Sequence, residues 1–416
     1  MKPYPLPALM IGLDTLSSET SLPKGAVRVA NNITIQNNGD WQRRPGFEDF
    51  LTLDGAHSLW QSAAQTRVLV AAGDTLYDVD LEGGAAAPLF VGLPFEEPVE
   101  YTDCGPDIYF TAGGVLRSID PDGNVRRPGI MALLGERPTL TPTVGGMAAG
   151  RYGVAYAVLN ERGEESPLSS VEFITLTGGG ILVSGIQTAP GVTEMNVYVT
   201  TPDGDRLYRY AKLPIAASCS IVDNLAADDS RAAERLDCQP MPGGEIVRYF
   251  NGRLYVAAGK WLYISRALDY GVSSTIEGWM TFRRSITVME PVAGGIFLGL
   301  RERTLFLRGN GPSDFQLIDA AGNHGAVPHT GVEVAADYFN PDMVPDRATP
   351  VACWLSEVGL AIGRPDGSIA YPQAGRIKMD AGPGRPLFMQ QLGIKQGVFQ
   401  LETLTMGIGG AVDTTI

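Results

Sequence analysis

The sequence predicts an all-β protein, a β-propeller of about five to seven blades with a β-sandwich inserted into it. Three observations predict this fold: a hairpin pattern that returns five times, a spacing near 40 residues between several copies, and a block of 105 residues that interrupts the spacing. The 51 glycines and 29 prolines are spread through the 416 residues without a period, which is typical of a chain with many tight turns.

The hairpin pattern is a short run of alternating apolar residues, a glycine-containing turn and a second short run. Its five copies begin at Arg67, Asp107, Gly252, Gly294 and Cys353. Equivalent strand positions are 40 residues apart between the first two copies and 42 residues apart between the third and fourth, close to the length of one propeller blade. The step to the fifth copy is 58 residues, longer than one blade.

Between the second and third copies, 146 residues separate equivalent positions, too many for one blade. Residues 137–241, flanked by the proline-rich stretches ERPTLTPT and CQPMPGG, account for the excess. They contain a strand with alternating Tyr152, Val154, Tyr156 and Val158, which ends in a polar turn. They also contain a hairpin closed by the Pro-Asp-Gly triplet that begins at Pro202. Short strands at this spacing predict a two-sheet sandwich, and the stretch is similar to fibronectin type III modules.

The predicted domains are an N-terminal arm at 1–26, propeller parts at 27–136 and 242–416, and the insert at 137–241. Within the insert, LAADDSRAAERL at 225–236 is rich in alanine and predicts a helix that bridges back to the propeller. A strand from Val27 to Ile35 precedes the first complete blade. We expect it to pair with the segment at 397–408, because pairing the first and last strands would hide both sheet edges.

Composition disfavours several classes of function. The net charge is -14, with 46 acidic and 32 basic side chains, which argues against a surface that neutralises DNA phosphates. The four cysteines lie far apart and there are three histidines, so a zinc cluster is not expected, and thiols in a reducing cytoplasm would stay free. No run of eighteen apolar residues occurs, so no membrane-spanning segment is expected.

Asp120, Asp122 and Asn124 have the alternating oxygen spacing of a calcium loop, but the distal Glu of such a loop is lacking. The stretch contains a Pro-Asp-Gly triplet that begins at Pro121, and the same triplet recurs at Pro202 and Pro365 between predicted strands. A plain turn is therefore the preferred interpretation at all three places.

Four residues are candidate assembly contacts. His324 and His329 could form a base or ligand pair, but no carboxylate or cysteine lies in a matching motif, which favours hydrogen-bonded loop or interface histidines. Arg43 and Arg44 could contact phosphate. No second basic cluster with interleaved aromatic residues accompanies them, so pairing with acids at a subunit or blade edge is favoured. No catalytic, cofactor-binding or metal-binding residue is predicted.

Aromatic residues at strand spacing predict the blade core: Tyr109, Phe110, Tyr255, Trp261, Tyr263, Phe297 and Phe306. A sugar-stacking surface is the alternative, disfavoured because none of them is grouped with a pair of carboxylates. The nucleophile elbow, phosphate loop, zinc-protease and dinucleotide motifs are all missing from the sequence. We therefore expect a protein that is not an enzyme.

Two stretches carry a family resemblance. PMPGGEIVRYFNGRLYVAAGKWLYISRALDYG from Pro240 and ITVMEPVAGGIFLGLRERTLFLRGNGPSDF from Ile286 have an order of Gly-Arg-Leu strand, Tyr-Gly turn and Gly-Gly strand that resembles phage structural proteins. The opening NNITIQNNGDWQRRPGF is similar as well, at Asn32, Gly39, Arg43, Arg44, Pro45, Gly46 and Phe47. These matches cover about a quarter of the chain, and they resemble the tail nozzle of short-tailed bacteriophages.

The resemblance implies a homo-oligomeric ring, usually of six copies, that lies below the portal and adaptor with a propeller on each subunit. Such a ring is located in the virion tail, is assembled in the host cytoplasm, lets genomic DNA pass and docks tail fibre proteins. It uses no cofactor. Acidic residues would either line the channel and repel DNA or solvate the outer surface.

Two other functions remain open. A propeller that binds receptors or carbohydrates, as a tail fibre or lectin module, would use exposed aromatic residues. A propeller glycosidase would gather its acids from separate blades.

Overall fold

The computed structural model describes residues 12–31, 33–35, 40–43, 49–63, 67–130, 136–188, 190–225, 231–320, 324–391, 394–402, 404–406 and 410–411. Its sheets are antiparallel with one exception, a short parallel pair near the N-terminus. Within the described ranges the one helical segment is a 3-10 turn at Ala336–Tyr338. The predicted all-β class is confirmed.

The N-terminal region forms short strands of its own. Strand β1 (Gly12–Leu13) pairs in parallel with β2 (Ala26–Val27), and β3 (Ile33–Ile35) pairs antiparallel with β4 (Trp41–Arg43). The predicted continuous strand from Val27 to Ile35 is therefore wrong. Of the predicted arm at 1–26, residues 1–11 lie outside the described part, and Thr15 donates a backbone hydrogen bond to the carbonyl of Arg376 over 2.9 Å.

Sheets 1 and 2 each consist of four short strands in which every strand pairs with the next one along the chain. Sheet 1 contains β5 (Ala56–Gln61), β6 (Val68–Ala72), β7 (Thr75–Asp80) and β8 (Ala85–Val91). Sheet 2 contains β9 (Glu100–Cys104), β10 (Asp107–Ala112), β11 (Val115–Ile119) and β12 (Val125–Arg126). The hairpins predicted at Arg67 and Asp107 are the middle pairs of these sheets.

A sandwich follows sheet 2 along the chain. One of its sheets has the order β13-β16-β19 and the other has the order β15-β14-β17-β18. The strands are β13 (Thr139–Met147), β14 (Gly150–Asn160), β15 (Glu172–Leu176), β16 (Gly179–Ser184), β17 (Val192–Thr200), β18 (Leu207–Pro214) and β19 (Ser218–Ile221). Tyr152, Tyr156, Ile181 and Val197 fill the core between the two sheets, because alternate residues of each strand point inward.

The predicted bridging helix is wrong where the structure describes it. Residues 231–236 are not helical, and Ala232 forms a bridge with Tyr208 at the edge of β18. Backbone hydrogen bonds from Arg209 to the carbonyl of Arg231 and from Ala233 to the carbonyl of Leu207 hold this segment. Pairing with an open strand edge overrides the helix propensity of the alanines. Residues 226–230 of the predicted helix lie outside the described residues.

Sheet 3 has six strands and begins within the predicted insert. β20 (Cys238–Pro240) pairs with β24 (Asp269–Ser274), so the sequence boundary at 241 falls too late. The other strands are β21 (Ile246–Phe250), β22 (Arg253–Ala258), β23 (Trp261–Arg266) and β25 (Trp279–Thr281).

Sheets 4 and 5 repeat the order of the first two sheets. Sheet 4 contains β26 (Ile286–Val292), β27 (Gly295–Leu300), β28 (Thr304–Arg308) and β29 (Gln316–Asp319). Sheet 5 contains β30 (Val332–Val334), β31 (Val351–Ser356), β32 (Gly359–Gly363) and β33 (Ile369–Ala370). The hairpins predicted at Gly252, Gly294 and Cys353 are the middle pairs of sheets 3, 4 and 5.

The C-terminal strands are β34 (Met379–Ala381), β35 (Gly384–Gln391), β36 (Ile394–Leu401), β37 (Leu404–Met406) and β38 (Gly410–Ala411). β35 pairs with β36, while β37 lies between β34 and β38. The predicted pairing of the N-terminal strand with the segment at 397–408 is therefore wrong in the described strands. Each end of the chain instead pairs with a near neighbour in sequence, which costs less loop-closure entropy.

Five sheets pack face to face in chain order, each on the next. Leu76 and Phe110 join sheets 1 and 2, and Phe297 and Trp354 join sheets 4 and 5. Two further clusters join sheet 2 to sheet 3 and sheet 3 to sheet 4. Sheets 2 and 3 contact each other although the two sheets of the sandwich lie between them in the chain.

Five hairpin turns, β6–β7, β10–β11, β22–β23, β27–β28 and β31–β32, form backbone hydrogen bonds with segments that connect the sheets. We name these turns and connections the turn edge. In sheets 1, 3, 4 and 5 the bonded segment leaves the sheet, and in sheet 2 it is the segment that enters sheet 3. The bonded pairs are Gly92 and Asp74, Gly114 and Gly244, Phe282 and Lys260, Ala326 and Leu300, and Met379 and Glu357.

Candidate functional site: a buried charge cluster

Charged side chains from several elements meet where the first strands of the sheets converge. Glu100 comes from β9, Arg248 from β21 and Glu290 from β26, while His329 precedes β30 and Arg385 lies on β35. We name these five residues the central cluster. Each occupies a strand or connection otherwise rich in apolar residues, so the packing of the sheets carries the charges into the interior.

Glu100 is the hub of the central cluster, and its side chain is only 5% exposed. One carboxylate oxygen accepts from Arg385 over 2.7 Å and lies 2.9 Å from Nδ1 of His329, and the other accepts from Arg248 over 2.8 Å. Burial alone would raise the pKa of Glu100, but Arg385 and Arg248 outweigh it and hold the pKa below its ordinary value. Glu100 is therefore ionised at neutral pH.

Arg248 links two buried carboxylates that belong to different sheets. Besides Glu100, it donates through Nε and Nη2 to Oε1 of Glu290, over 3.0 and 2.5 Å. Burial raises the pKa of Glu290 to about 7, against the opposing effect of Arg248, because the Glu290 side chain is only 2% exposed and Glu100 adds repulsion. The protonation state of Glu290 therefore changes near neutral pH.

Arg385 joins the C-terminal hairpin to the first two sheets. Its guanidinium donates to Glu100, to the carbonyl of Val99 over 2.6 Å, and more weakly to the hydroxyl of Ser58 over 3.4 Å. Ser58 lies on β5 and accepts a 2.9 Å hydrogen bond from the backbone of Val99. The central cluster thereby connects sheets 1, 2, 3 and 4, the entry to sheet 5 and the C-terminal hairpin.

The arrangement is suited to holding strands together. Buried charges are tolerated when each is paired and hydrogen-bonded, and here two arginines face two glutamates. Both oxygens of Glu100 are occupied by cationic donors, so this carboxylate is not free to take a proton from a substrate. Across the described ranges no group of three or more His, Cys, Asp or Glu side chains could hold a metal ion.

The structure separates the two histidines singled out in the sequence. His324 lies 3.0 Å from Glu357 and edge-on to the ring of Tyr371, whereas His329 contacts Glu100. They contact different carboxylates and form no pair with each other. Arg43 is exposed at the end of β4, and Arg44 lies outside the described residues. A role of these four residues as assembly contacts stays a prediction.

The other sequence candidates are placed as follows. Asp120 accepts hydrogen bonds from the backbone and side chain of Asn124 and closes a turn, as preferred over a calcium loop. Of the seven aromatic residues predicted as core, five are buried. Tyr263 is half-buried and packs against the cluster between sheets 2 and 3, so it borders the core. Trp261 is half-buried beside Trp279 and belongs to no core cluster, so the core prediction is wrong for this residue.

Sequence reasoning missed four members of the central cluster: Glu100, Arg248, Glu290 and Arg385. A usable signal exists in one of them. Glu290 is the single charged residue of an apolar strand, ITVMEPV, and a lone charge in such a strand is either exposed or paired inside.

No family model matches the chain, and no curated protein matches it. Among solved structures, it is similar to the AfRom2 CNH domain, at 9% identity and a TM-score of 0.26, over 82% of this chain and 92% of that one. It is also similar to KlHsv2 with loop 6CD replaced by a Gly-Ser linker, at 6% identity and a TM-score of 0.26, over 83% and 97%. Saccharomyces cerevisiae Sqt1 matches at 9% identity and a TM-score of 0.23, over 74% and 83%.

These TM-scores support no inference about function. The class that the fold defines is an all-β protein of packed antiparallel sheets with an inserted sandwich. Among the described residues, no helix has the length and hydropathy needed to cross a bilayer.

Proposed function

We propose that the protein is a structural component of a virion, a bacteriophage tail nozzle subunit, and not an enzyme. The observation that carries the proposal is the central cluster, in which charges from successive sheets are paired with one another. A catalytic centre needs acids, bases or nucleophiles that are free to reach a substrate. This cluster uses its charges to fasten the sheets, as expected of a load-carrying scaffold.

The proposed fold is a β-propeller whose blades are sheets 1 to 5. Two features support it: the common strand order and the convergence of the first strands. The C-terminal hairpin would close the wheel, since Arg385 bonds to sheets 1 and 2 while Phe388 packs edge-on against Tyr338 next to sheet 5.

The proposed assembly is a ring, hexameric by the resemblance to tail nozzles. The resemblance rests on the segments from Pro240 and Ile286 and on the N-terminal residues Asn32 to Phe47. The ring would extend the DNA conduit below the portal and adaptor, hold it shut after packaging and dock tail fibre proteins. If part of the net charge of -14 per copy lines the channel, repulsion would let genomic DNA slide through.

Electron microscopy tests the proposal directly. The purified full-length protein is expected to form rings with a central channel, and antibody labelling of virions is expected to mark the tail. Monomers at all concentrations, or labelling of the capsid, would contradict it.

One observation favours a second candidate, a carbohydrate-binding module. Trp261 and Tyr263 stack at 6.4 Å between ring centroids, and Trp279, 39% exposed, lies edge-on to Trp261 at 5.2 Å. An exposed aromatic ring can stack against a sugar ring, and Trp279 is the exposed member of this group. Glycan-array binding that is lost in Trp279→Ala and kept in Trp41→Ala, an exposed tryptophan on β4, would support this candidate.

A further inference from the structure

Basic side chains are concentrated on the turn edge at sheets 3 and 4. A cavity of about 440 Å³ is lined by Arg283, Arg284, Leu300, Glu302 and Arg303. Arg283 and Arg284 belong to the connection that enters sheet 4, and the rest belong to its second strand and middle turn. We name this cavity, together with the neighbouring Arg301, the arginine pocket.

The arginine pocket has positive charge that its own acids do not match. Arg284 lies 3.6 Å from Glu302, and Arg303 lies 3.3 Å from Asp319. Arg283 and Arg301 are exposed and have no salt bridge or side-chain hydrogen bond within the part of the chain that the structure describes. Two guanidinium groups therefore remain available to an anionic partner.

The turn edge has the opposite charge at sheets 1 and 2. The connection between these sheets carries Phe95, Glu96 and Glu97, all exposed, with Phe95 at 70%. We name these three residues the acidic loop. Neither glutamate forms a salt bridge within the described residues, and Glu97 donates a backbone hydrogen bond to the carbonyl of Pro94, which shapes the loop into a turn. Pro94 and Pro98 flank the loop and restrict its backbone.

We propose that the acidic loop of one copy of this chain occupies the arginine pocket of the next copy. The two surfaces carry complementary charges, both belong to the turn edge, and they lie at different sheets. A contact between two different surfaces of identical copies is heterologous, and repeated contacts of this kind form a ring when the rotation between successive copies closes. The inference rests on the proposed ring and identifies its subunit contact.

The composition of the acidic loop favours a second copy over a nucleic acid as the occupant. Both would approach a chain of net charge -14 against long-range repulsion, so recognition depends on the local match of the two surfaces. Glu96 and Glu97 match the two unpaired arginines in number, and the neighbouring Phe95, 70% exposed, adds an apolar contact that a phosphate backbone lacks.

Reciprocal charge reversal tests the contact by sedimentation velocity and mass photometry of the full chain. We expect Arg283→Glu with Arg301→Glu, and separately Glu96→Lys with Glu97→Lys, to raise the concentration for half-assembly at least about tenfold. Mixing the two variants in equal amounts is expected to restore rings in which the variants alternate. In such a ring each native pocket meets a native acidic loop, and each reversed, acidic pocket meets a reversed, basic loop. The matched control, Arg137→Glu with Arg206→Glu at exposed sandwich positions, is expected to assemble like the wild type.

Different failures separate this contact from the ring itself. Wild-type rings combined with unimpaired assembly of both reversed variants would refute the contact and leave the ring proposal standing. A wild type that is monomeric at every concentration would refute both. Loss of assembly without recovery on mixing would refute the pairing of these two surfaces, provided that circular dichroism shows folded variants. Retention of a short DNA by the wild type that disappears in Arg283→Glu, with assembly unchanged, would identify a polyanion as the occupant and overturn the proposal.

Discussion

Replacing Arg248 with methionine would remove the cation that links two buried glutamates of different sheets. Arg248 is 12% exposed at its side chain, and it donates to Glu100 and Glu290, which are 5% and 2% exposed. Methionine has a similar length and keeps the packing of the aliphatic stem. Glu100 would retain Arg385 and His329, but Glu290 would lose its salt-bridge partner.

The expected loss is about 3–5 kcal/mol in the free energy of unfolding, the usual cost of leaving a buried charge unpaired. This is a large part of the roughly 5–15 kcal/mol that stabilises a domain. The loss should be smaller at pH 5 than at pH 8, because protonation of Glu290 removes the unpaired charge. Adding Glu290→Gln to the variant should recover part of the loss at pH 8 for the same reason.

Tryptophan fluorescence during urea unfolding measures this effect outside the sandwich. All five tryptophans, Trp41, Trp60, Trp261, Trp279 and Trp354, lie outside it. The matched control is Arg303→Met, which breaks an exposed pair with Asp319 at sheet 4 and should cost at most about 1 kcal/mol. If Arg248→Met costs no more than this control, the central cluster does not fasten the sheets.

Three further outcomes are expected from the same structure. The folded-state pKa of Glu290, about 7, is raised above its ordinary value of 4.5. The contribution of Glu290 to stability is therefore fully present below about pH 4.5 and is lost as the pH rises to 7. Glu290→Gln should flatten the decrease of the unfolding free energy over this range, measured by urea unfolding at a series of pH values. Gly271→Ala should lower the thermal midpoint, since a Cβ at Gly271 would lie 2.3 Å from the Cα of Gly129, in the segment that follows sheet 2. The control Gly105→Ala has open space around the new methyl group, so its cost should be limited to backbone strain. Trp354→Ala should cost about 3–5 kcal/mol by the same fluorescence assay read at the remaining tryptophans, because its fully buried ring fills the space between sheets 4 and 5.

Local patterns made the sheets predictable from the sequence. Each hairpin is specified within about fifteen residues by alternation and a glycine turn, as in the pair joined at Gly73, whose φ of 60° suits glycine. The helix predicted at 225–236 does not form in residues 231–236, because Arg231, Ala232 and Ala233 bond to the edge of β18, which is a tertiary effect.

The central cluster was not predictable in the same way. Glu100 and Arg248 are 148 residues apart, and Glu100 and Arg385 are 285 residues apart, so no local pattern connects them. Glu100, in VEYTDC beside a second acid, Asp103, is compatible with an exposed position until the packing of five sheets is known. Contacts between residues so far apart in sequence are set by the topology of the whole fold, which no local pattern specifies.

A buried charge cluster also fixes how the sheets align. Apolar faces alone would tolerate a small slide of one sheet over the next, since hydrophobic burial has no direction. Arg248 can reach Glu100 and Glu290 together only when β9, β21 and β26 stand at one relative height, and Arg385 adds the same constraint for β5 and the C-terminal hairpin. A misaligned array would leave two carboxylates buried without partners, at a cost of several kcal/mol. The cluster therefore selects one alignment of the turn edge, and that edge carries both the arginine pocket and the acidic loop.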